Sequence, residues 1–361
     1  VLHVNNRRDK TKEDWYDVDG IPVHRAQFHT RWPWQEVVDR RIIQAVRREI
    51  RAWQPDIVHV HNVSGASLAP FIAGRLEGAS VVGTLHDHWL LCPNNMLYRR
   101  DGTVCDPGAH PNGCGQCLRR YEYWGVIPQR RRIFSQLSAN VRFFVSPSQA
   151  LIDRHVDAGY DRRRFRHIRH GIEDKPVPVN SLDPVIAHVC NTTWQHRTVL
   201  FAGGGAEIKG AHVLLDAIPH LLGSIEKLRF VVAGGGDIET LARFHQYSPH
   251  VQVLGHVPFS QMRALFAAAE LVVFPSVWPE AYSMVIYEGY QVGTPAVGSA
   301  FGAVPELIQE GTTGYLFPRR DAGALAMKIR HHLQRPAHER RHMRQHCVEY
   351  ARTQLSLDNH V

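Results

Sequence analysis

Glu280 and Glu288 stand eight positions apart in a segment that also carries Trp278, Pro279, Ser283 and Gly293. A β-branched run at 271–274 precedes them and reads as a strand. A Pro-rich loop then carries Glu280, and a helix begins near Ser283 and stops at Gly293. One carboxylate therefore sits at the mouth of a strand–helix crevice, and the other lies further along the helix. Between them is a helix N-terminus, whose free N–H groups can receive a phosphate. Carboxylates accept hydrogen bonds from hydroxyls. Two of them flanking one diphosphate site would suit a protein that holds a sugar nucleotide.

Earlier in the chain, Gly203, Gly204 and Gly205 follow another strand, and Lys209 comes shortly after. Glycines at a strand end let backbone approach a phosphate closely, and a lysine can neutralise it. Gly234, Gly235 and Gly236 repeat the arrangement one strand later. Each glycine loop taken alone is equally a flexible βα turn, and Glu288 alone could be a salt-bridged helix residue. Its neighbours Val285, Ile286 and Gly289 argue against a plain solvated face. His86 ends a strand at 80–87, where it reads either as a site residue or as one buried, hydrogen-bonded histidine among 24.

The elements that position these residues alternate. Apolar residues at 38, 42, 46 and 50 recur every four positions, which predicts an amphipathic helix ending before Pro55. Strands are expected at 21–27, 56–61, 80–87, 142–146 and 165–169. After a Pro-rich, polar stretch at 173–184 they resume at 199–202, 229–233, 251–254, 271–274 and 296–298. Strand–helix alternation with apolar strands predicts an α/β fold with parallel sheets. With 361 residues, two Rossmann-like domains in tandem are expected: 1–175, 176–340, and a C-terminal helix at 341–361.

Composition narrows the function classes. Hydrophobic residues make up 44% and charged residues 21%, as in a globular protein with a sizeable core. No apolar run reaches the ~18 residues of a membrane span, and no signal peptide is visible, so a cytoplasmic location is expected. The formal net charge is +8. Much of it falls on arginine-rich helix faces, which read either as solvated surface or as attraction to an anionic partner, a nucleotide diphosphate or an acidic lipid surface. Tyr121 to Trp124 and Arg130 to Phe134 mix aromatics with arginines, either as a membrane-surface patch or as a helix with one packed face. No recognition-helix or RNA-binding signature accompanies the charge, so nucleic acid is not an expected partner.

The succession of glycine loop with Lys209, second glycine loop, Leu254-Gly-His-Val257, Pro275-Ser276, the two glutamates and Gly293-Thr-Pro295 resembles the retaining glycosyltransferases of family 4, which have the GT-B fold. Pro305-Glu306 and the stretch from Glu310 to Phe317 match the family's closing pattern. In the first half, the stretch from Pro55 to His61, Thr84-Leu-His-Asp87, Val145-Ser146 and His170-Gly-Ile-Glu173 fit it too. The resemblance implies two Rossmann-like domains with parallel sheets facing across a cleft, an acceptor domain first and a donor domain second. It implies transfer of a sugar from a nucleotide diphosphate sugar to a hydroxyl of a glycan, a lipid-linked sugar or a small molecule, with retention and without a metal. Glu280 would bind hydroxyls of the transferred sugar, and Glu288 the ribose diol. The backbone of Tyr282, Ser283, Met284 and Val285, with Gly204 and Gly205, would hold the donor. Lys209 would stabilise the departing diphosphate, and His86 would face the sugar. Alternatives on the same architecture are a sugar-nucleotide epimerase and a non-catalytic sugar-nucleotide binding protein.

Departures from the family pattern are Gly204, where an arginine is usual, and the start. Val1 to Asn5 resembles the family's second strand, so one βα unit of roughly 30 residues is expected to be missing ahead of it. The C-terminal helix is expected to cross back toward the first domain.

Four of the six cysteines, Cys92, Cys105, Cys114 and Cys117, fall within 26 residues. The Cys114-x2-Cys117 knuckle with two further thiols suits a closed tetrahedral structural zinc site, with His110 as an alternative ligand. The competing reading is reduced thiols, or disulfides in an exported protein.

Overall fold

Ile42, Ala45, Val46 and Ile50 form the buried stripe of the Arg40–Trp53 helix. Asp39 caps its start, accepting from the Arg41 N–H at 2.9 Å, and Gln54 ends it in the left-handed region just before Pro55. The computed structural model describes residues 1–6, 12–28, 37–63, 67–106, 114, 117, 127–174, 182–192 and 196–357. It divides into two units, Val1–Ile168 and Arg169–Val361.

In the first unit β1 (Leu2–Asn6), β2 (Lys12–Val18) and β3 (Ile21–Phe28) form one sheet in the order β1-β3-β2. A second sheet, all parallel, runs β4 (Ile57–Val60), β5 (Ser80–Thr84), β6 (Phe143–Ser146), β7 (Phe165–His167). Strand β2 is antiparallel to β3, with Val18 opposite Ile21. Asp19 and Gly20, both at positive φ, make the two-residue turn whose twist matches a hairpin. Among the described residues the strands of the first unit thus divide between two sheets, with β1 and β4 each at an edge. Ile57 on β4 is 59% exposed. Leu2 from one sheet and Val58 from the other pack on the same cluster of Ala26, Phe28, Ile42, Val46, Ile50, Ala69 and Ala73. Each fully buried large aliphatic there contributes about 1.5–3 kcal/mol.

Among the described residues the second unit holds six parallel strands: β8 (Arg197–Phe201), β9 (Leu228–Ala233), β10 (Val251–Gly255), β11 (Leu271–Phe274), β12 (Ala296–Ser299) and β13 (Gly314–Phe317). Their order is β10-β9-β8-β11-β12-β13. Strands β9, β11 and β12 are buried at every position, as a sheet covered on both faces requires. The order reverses between β8 and β11. In doubly wound sheets such a switch point opens a crevice at the strands' carboxyl ends. The loops after β8 and β11 carry Lys209 and Glu280.

The units part at 168/169, ahead of the sequence-based boundary at 175/176. Residues 170–174 are tied to the second unit: Tyr282 donates to the His170 carbonyl, Gln291 to that of Glu173, and Arg263 to Asp174. The Ala337–Gln354 helix also belongs to the second unit. Its Cys347, Tyr350 and Ala351 pack with Tyr287 and Tyr290 of the Met284–Gln291 helix.

Candidate functional site

From β8 the chain passes the glycines and makes a short turn at Glu207–Lys209. From β11 it enters the loop 275–283. The two segments are stitched together by the Val277 N–H, which donates to the Ile208 carbonyl at 2.9 Å. This contact brings Lys209 to Glu280. Lys209 Nζ donates to Glu280 Oε1 at 2.8 Å, and Trp278 Nε1 donates to the same oxygen at 2.6 Å. Ser276 Oγ lies 2.8 Å from that oxygen and 3.0 Å from the Ile208 carbonyl, and its single proton serves one of them at a time. Glu280 is 4% exposed. Among the described residues its Oε2 accepts no bond. The result is a buried carboxylate with one oxygen saturated and the other uncommitted. Lys209 keeps N–H groups to spare and sits 5.5 Å from the Trp278 ring centroid.

Backbone packing fixes Glu280 as well. Its carbonyl accepts from the Ala303 N–H at 2.8 Å. Gly302, at φ +60, passes so close that a Cβ there would lie 2.5 Å from the Glu280 nitrogen. Sequence reasoning assigned no role to Ser276, Trp278 or Gly302. The loop turns tightly here, with the Glu280 N–H donating to the Trp278 carbonyl at 2.9 Å, so no simple periodicity marked these positions.

Ser283 caps the Met284–Gln291 helix, its hydroxyl accepting from the Ile286 N–H at 3.5 Å. The N–H groups of Met284 and Val285 have no intrahelical acceptor, so they are open to an anion. Tyr282 is held by its bond to the His170 carbonyl at 3.1 Å and by edge-on packing against Tyr287. Gly204 and Gly205 are used differently from the sequence-based expectation. Their N–H groups donate to the Ala233 and Gly235 carbonyls, both at 3.1 Å, so the N–H groups expected at a phosphate are spent on the second glycine loop. At Gly204, φ is +57 and a Cβ would lie 1.9 Å from the Gly235 oxygen. No side chain, arginine included, fits there in this arrangement.

Glu288 lines a cavity of about 520 Å³ with Ile172, Phe259, Arg263, Phe266 and Met284. Its carboxylate makes no hydrogen bond among the described residues. Burial pushes its pKa up to about 7, against a smaller opposing pull from Arg263. Arg263 is itself engaged by Gln291 and Asp174, each at 2.8 Å. Phe259 is 71% exposed and Met284 41%, so the cavity offers apolar surface beside an acceptor. Sequence reasoning did not assign Phe259 or Arg263, because the helix that carries them is distant in sequence.

In the first unit His86 follows β5. Its Nε2 stands 3.1 Å from His61 Nδ1, and His59 lies 4.1 Å from His61 between ring centroids. Burial, aided for His86 by the other two imidazoles, lowers the pKa of all three histidines. Asp87 accepts from the Trp89 N–H at 2.8 Å and from Asn62 at 3.3 Å. Burial still raises its pKa to about 6. Cys92, Cys105, Cys114 and Cys117 are free thiols, each partly buried. Among the described residues no three His, Cys, Asp or Glu side chains meet as metal ligands, and His110 lies outside those residues.

Two family profiles match the chain: one described as Glycosyltransferase Family 4 over residues 1–175, the other as Glycosyl transferases group 1 over residues 196–335. The chain belongs to glycosyltransferase family 4. Relatives of this family 4 chain include a phosphatidyl-myo-inositol mannosyltransferase of Mycobacterium leprae, 33% identical over 36% of the chain and 35% of the relative. A glycogen synthase of Mycobacterium tuberculosis is 25% identical over 81% of the chain and 64% of the relative. The chain thus spans less than two thirds of either. Anabaena HepE in complex with UDP-glucose matches 94% of the chain and 84% of its own at TM-score 0.68 and 19% identity. Sucrose-phosphate synthase of Thermosynechococcus elongatus matches 99% and 85% at TM-score 0.72 and 18% identity. The fold is GT-B. No helix among the described residues is long and apolar enough to cross a membrane.

Proposed function

We propose that this family 4 chain transfers a sugar from a nucleotide diphosphate sugar to an acceptor hydroxyl with retention of anomeric configuration and without a metal. The observation that carries the reading is Glu280, a buried carboxylate whose Oε1 is held by Lys209, Ser276 and Trp278 while Oε2 stays uncommitted. Such an oxygen is pre-organised to accept from sugar hydroxyls, because its partner oxygen cannot rotate away without breaking three contacts. In this reading the nucleoside enters the cavity of Phe259, Phe266 and Met284, with Glu288 accepting from the ribose diol.

Breaking the bond between the anomeric carbon and the diphosphate builds positive charge on carbon and negative charge on phosphate. Lys209 and the N–H groups of Met284 and Val285 supply the compensating positive charge. The acceptor hydroxyl attacks from the face the diphosphate leaves, and its proton passes to the departing phosphate oxygen. His86 is assigned to the sugar, and its lowered pKa leaves it a neutral donor and acceptor at pH 7. Gly204 and Gly205 act by seating the loop that presents Lys209. The acceptor is a glycan, a lipid-linked sugar or a small molecule.

UDP-sugars are the first donors to test, since HepE is described with UDP-glucose. Purified protein is assayed for donor turnover, with the anomer of the product read by NMR. Glu280→Gln keeps the shape and removes the charge, and is expected to abolish turnover while leaving nucleoside diphosphate binding intact. Wild-type turnover by that variant would falsify the assignment.

A further inference from the structure

Directly after His86 and Asp87 the chain enters a segment anchored by Trp89, Leu90 and Leu97, each at most 1% exposed. Arg130 donates to the carbonyls of Trp89 and Leu90. Three backbone devices then shape this segment. The Cys92 N–H donates to the His88 carbonyl at 2.8 Å, closing a turn. A small hairpin, with Tyr98 bridged to Val104 and Asp101 accepting from the Thr103 N–H at 2.9 Å, brings the Cys105 N–H back to the Leu97 carbonyl at 2.7 Å. The Cys117 N–H donates to the Cys114 carbonyl at 3.0 Å, which curls the Cys-x2-Cys pair into a knuckle.

These devices gather the four cysteines into one neighbourhood of the first unit. Cys105 lies within electrostatic reach of Cys92 and Cys117, and Cys114 within reach of Cys92, Cys105 and Cys117. All four are free and only partly buried. A structural cysteine ordinarily behaves as a small buried hydrophobe. Four partly buried cysteines gathered from a turn, a hairpin and a knuckle, two of them at Cys-x2-Cys spacing, suit a ligand set better than a packed core. We propose that Cys92, Cys105, Cys114 and Cys117 bind one zinc ion as a closed tetrathiolate site that fixes the segment next to His86 and Asp87. Each thiol loses its proton to solvent as its sulfur joins the metal, so a site of two charges and four thiolates forms without any change of oxidation state. Among the described residues the thiols do not already meet as a ligand set. Closure is therefore coupled to binding, as in small metal-stapled loops. The site is structural and lies outside the donor machinery of the second unit, so it stands or falls separately from the proposed transfer.

The test is metal analysis of the full chain purified without chelators or a metal-affinity step. Expected are about one zinc per chain and sulfur scatterers at about 2.3 Å by X-ray absorption. A mercurial reagent should release the zinc as the thiols are titrated. Cobalt exchanged into the wild-type protein should give the visible bands of tetrahedral thiolate coordination, a readout that needs no variant to fold. The Cys114→Ser, Cys117→Ser double variant should lose the metal yet still bind a nucleoside diphosphate. Metal-free protein with four freely titrating thiols, or with Cys–Cys links found by mass spectrometry under non-reducing conditions, overturns the proposal.

Discussion

Lys209 and Glu280, 71 positions apart in sequence, meet at 2.8 Å across the switch point of the second sheet. The pairing joins the loop after β8 to the loop after β11. It gives Glu280 one charged neighbour and leaves Lys209, a third exposed, with N–H groups to spare.

Lys209→Ala tests what the lysine does beyond pairing. Glu280 would keep Ser276 and Trp278 as donors, so folding is expected to survive with a loss of about 1–3 kcal/mol. Turnover is expected to fall by about 10²–10³, the range for losing one donor to developing charge. Urea melts and kcat on the same preparation separate the two effects. Unchanged kcat would remove Lys209 from the leaving-group role.

Trp278→Phe isolates the sugar side. The variant keeps an aromatic ring near Lys209, makes it smaller, and deletes the indole N–H that reaches Glu280 at 2.6 Å. With Oε1 less firmly held, affinity for the sugar nucleotide is expected to drop roughly tenfold, about 1.4 kcal/mol. Affinity for the bare nucleoside diphosphate should stay at the wild-type value. Calorimetry with both ligands decides it, and an equal loss for both would place Trp278 outside the sugar subsite.

Gly204→Arg restores the residue usual in the family, and we expect it to do harm. A side chain at φ +57 costs about 1–2 kcal/mol before any clash, and here the Cβ would meet the Gly235 oxygen. The melting temperature should fall and donor binding should not improve. Tighter binding at undiminished stability would mean that the two glycine loops do not pack as described.

These residues also mark how far sequence reasoning reaches. The strands that precede Lys209 and Glu280 and the helix that carries Glu288 were legible, because their apolar runs and the Ser283 cap are local signals. The Arg40–Trp53 helix was legible because its apolar spacing and cap are local. That Lys209, Ser276 and Trp278 share one carboxylate oxygen was not, since the Val277–Ile208 contact that aligns them is long-range. Sheet neighbours are equally non-local. Nothing near β1 or β4 in sequence announces that they are edges of separate sheets. The strand at 21–27 was expected, but its hairpin with β2 was missed although Asp19-Gly20 marks it, because β2 is exposed at nearly every described position and shows no buried face.

Glu288 supplies a pH prediction whose sign follows from its raised pKa. Its folded value of about 7 lies above the ordinary 4.5, so the folded chain holds more protons than the unfolded one between those values. The stability contribution of Glu288 is therefore present in full below about 4.5 and lost as pH rises through about 7. Asp87, raised to about 6 from 3.8, acts in the same direction over a lower window. Donor binding runs the other way. An ionised carboxylate accepts from both ribose hydroxyls more strongly than a protonated one, so affinity should weaken as pH drops below about 7 and level off at the value of the neutral carboxyl. A sugar nucleotide is the right probe, because its diphosphate carries no group that titrates there. In Glu288→Gln the amide can still accept one hydrogen bond. Binding should then be weaker at pH 8 and nearly flat from pH 5.5 to 8.5, and stability should lose the part of its pH dependence that the wild type owes to this carboxyl. A variant that kept the wild-type pH profile of binding would show that some other group receives the ribose.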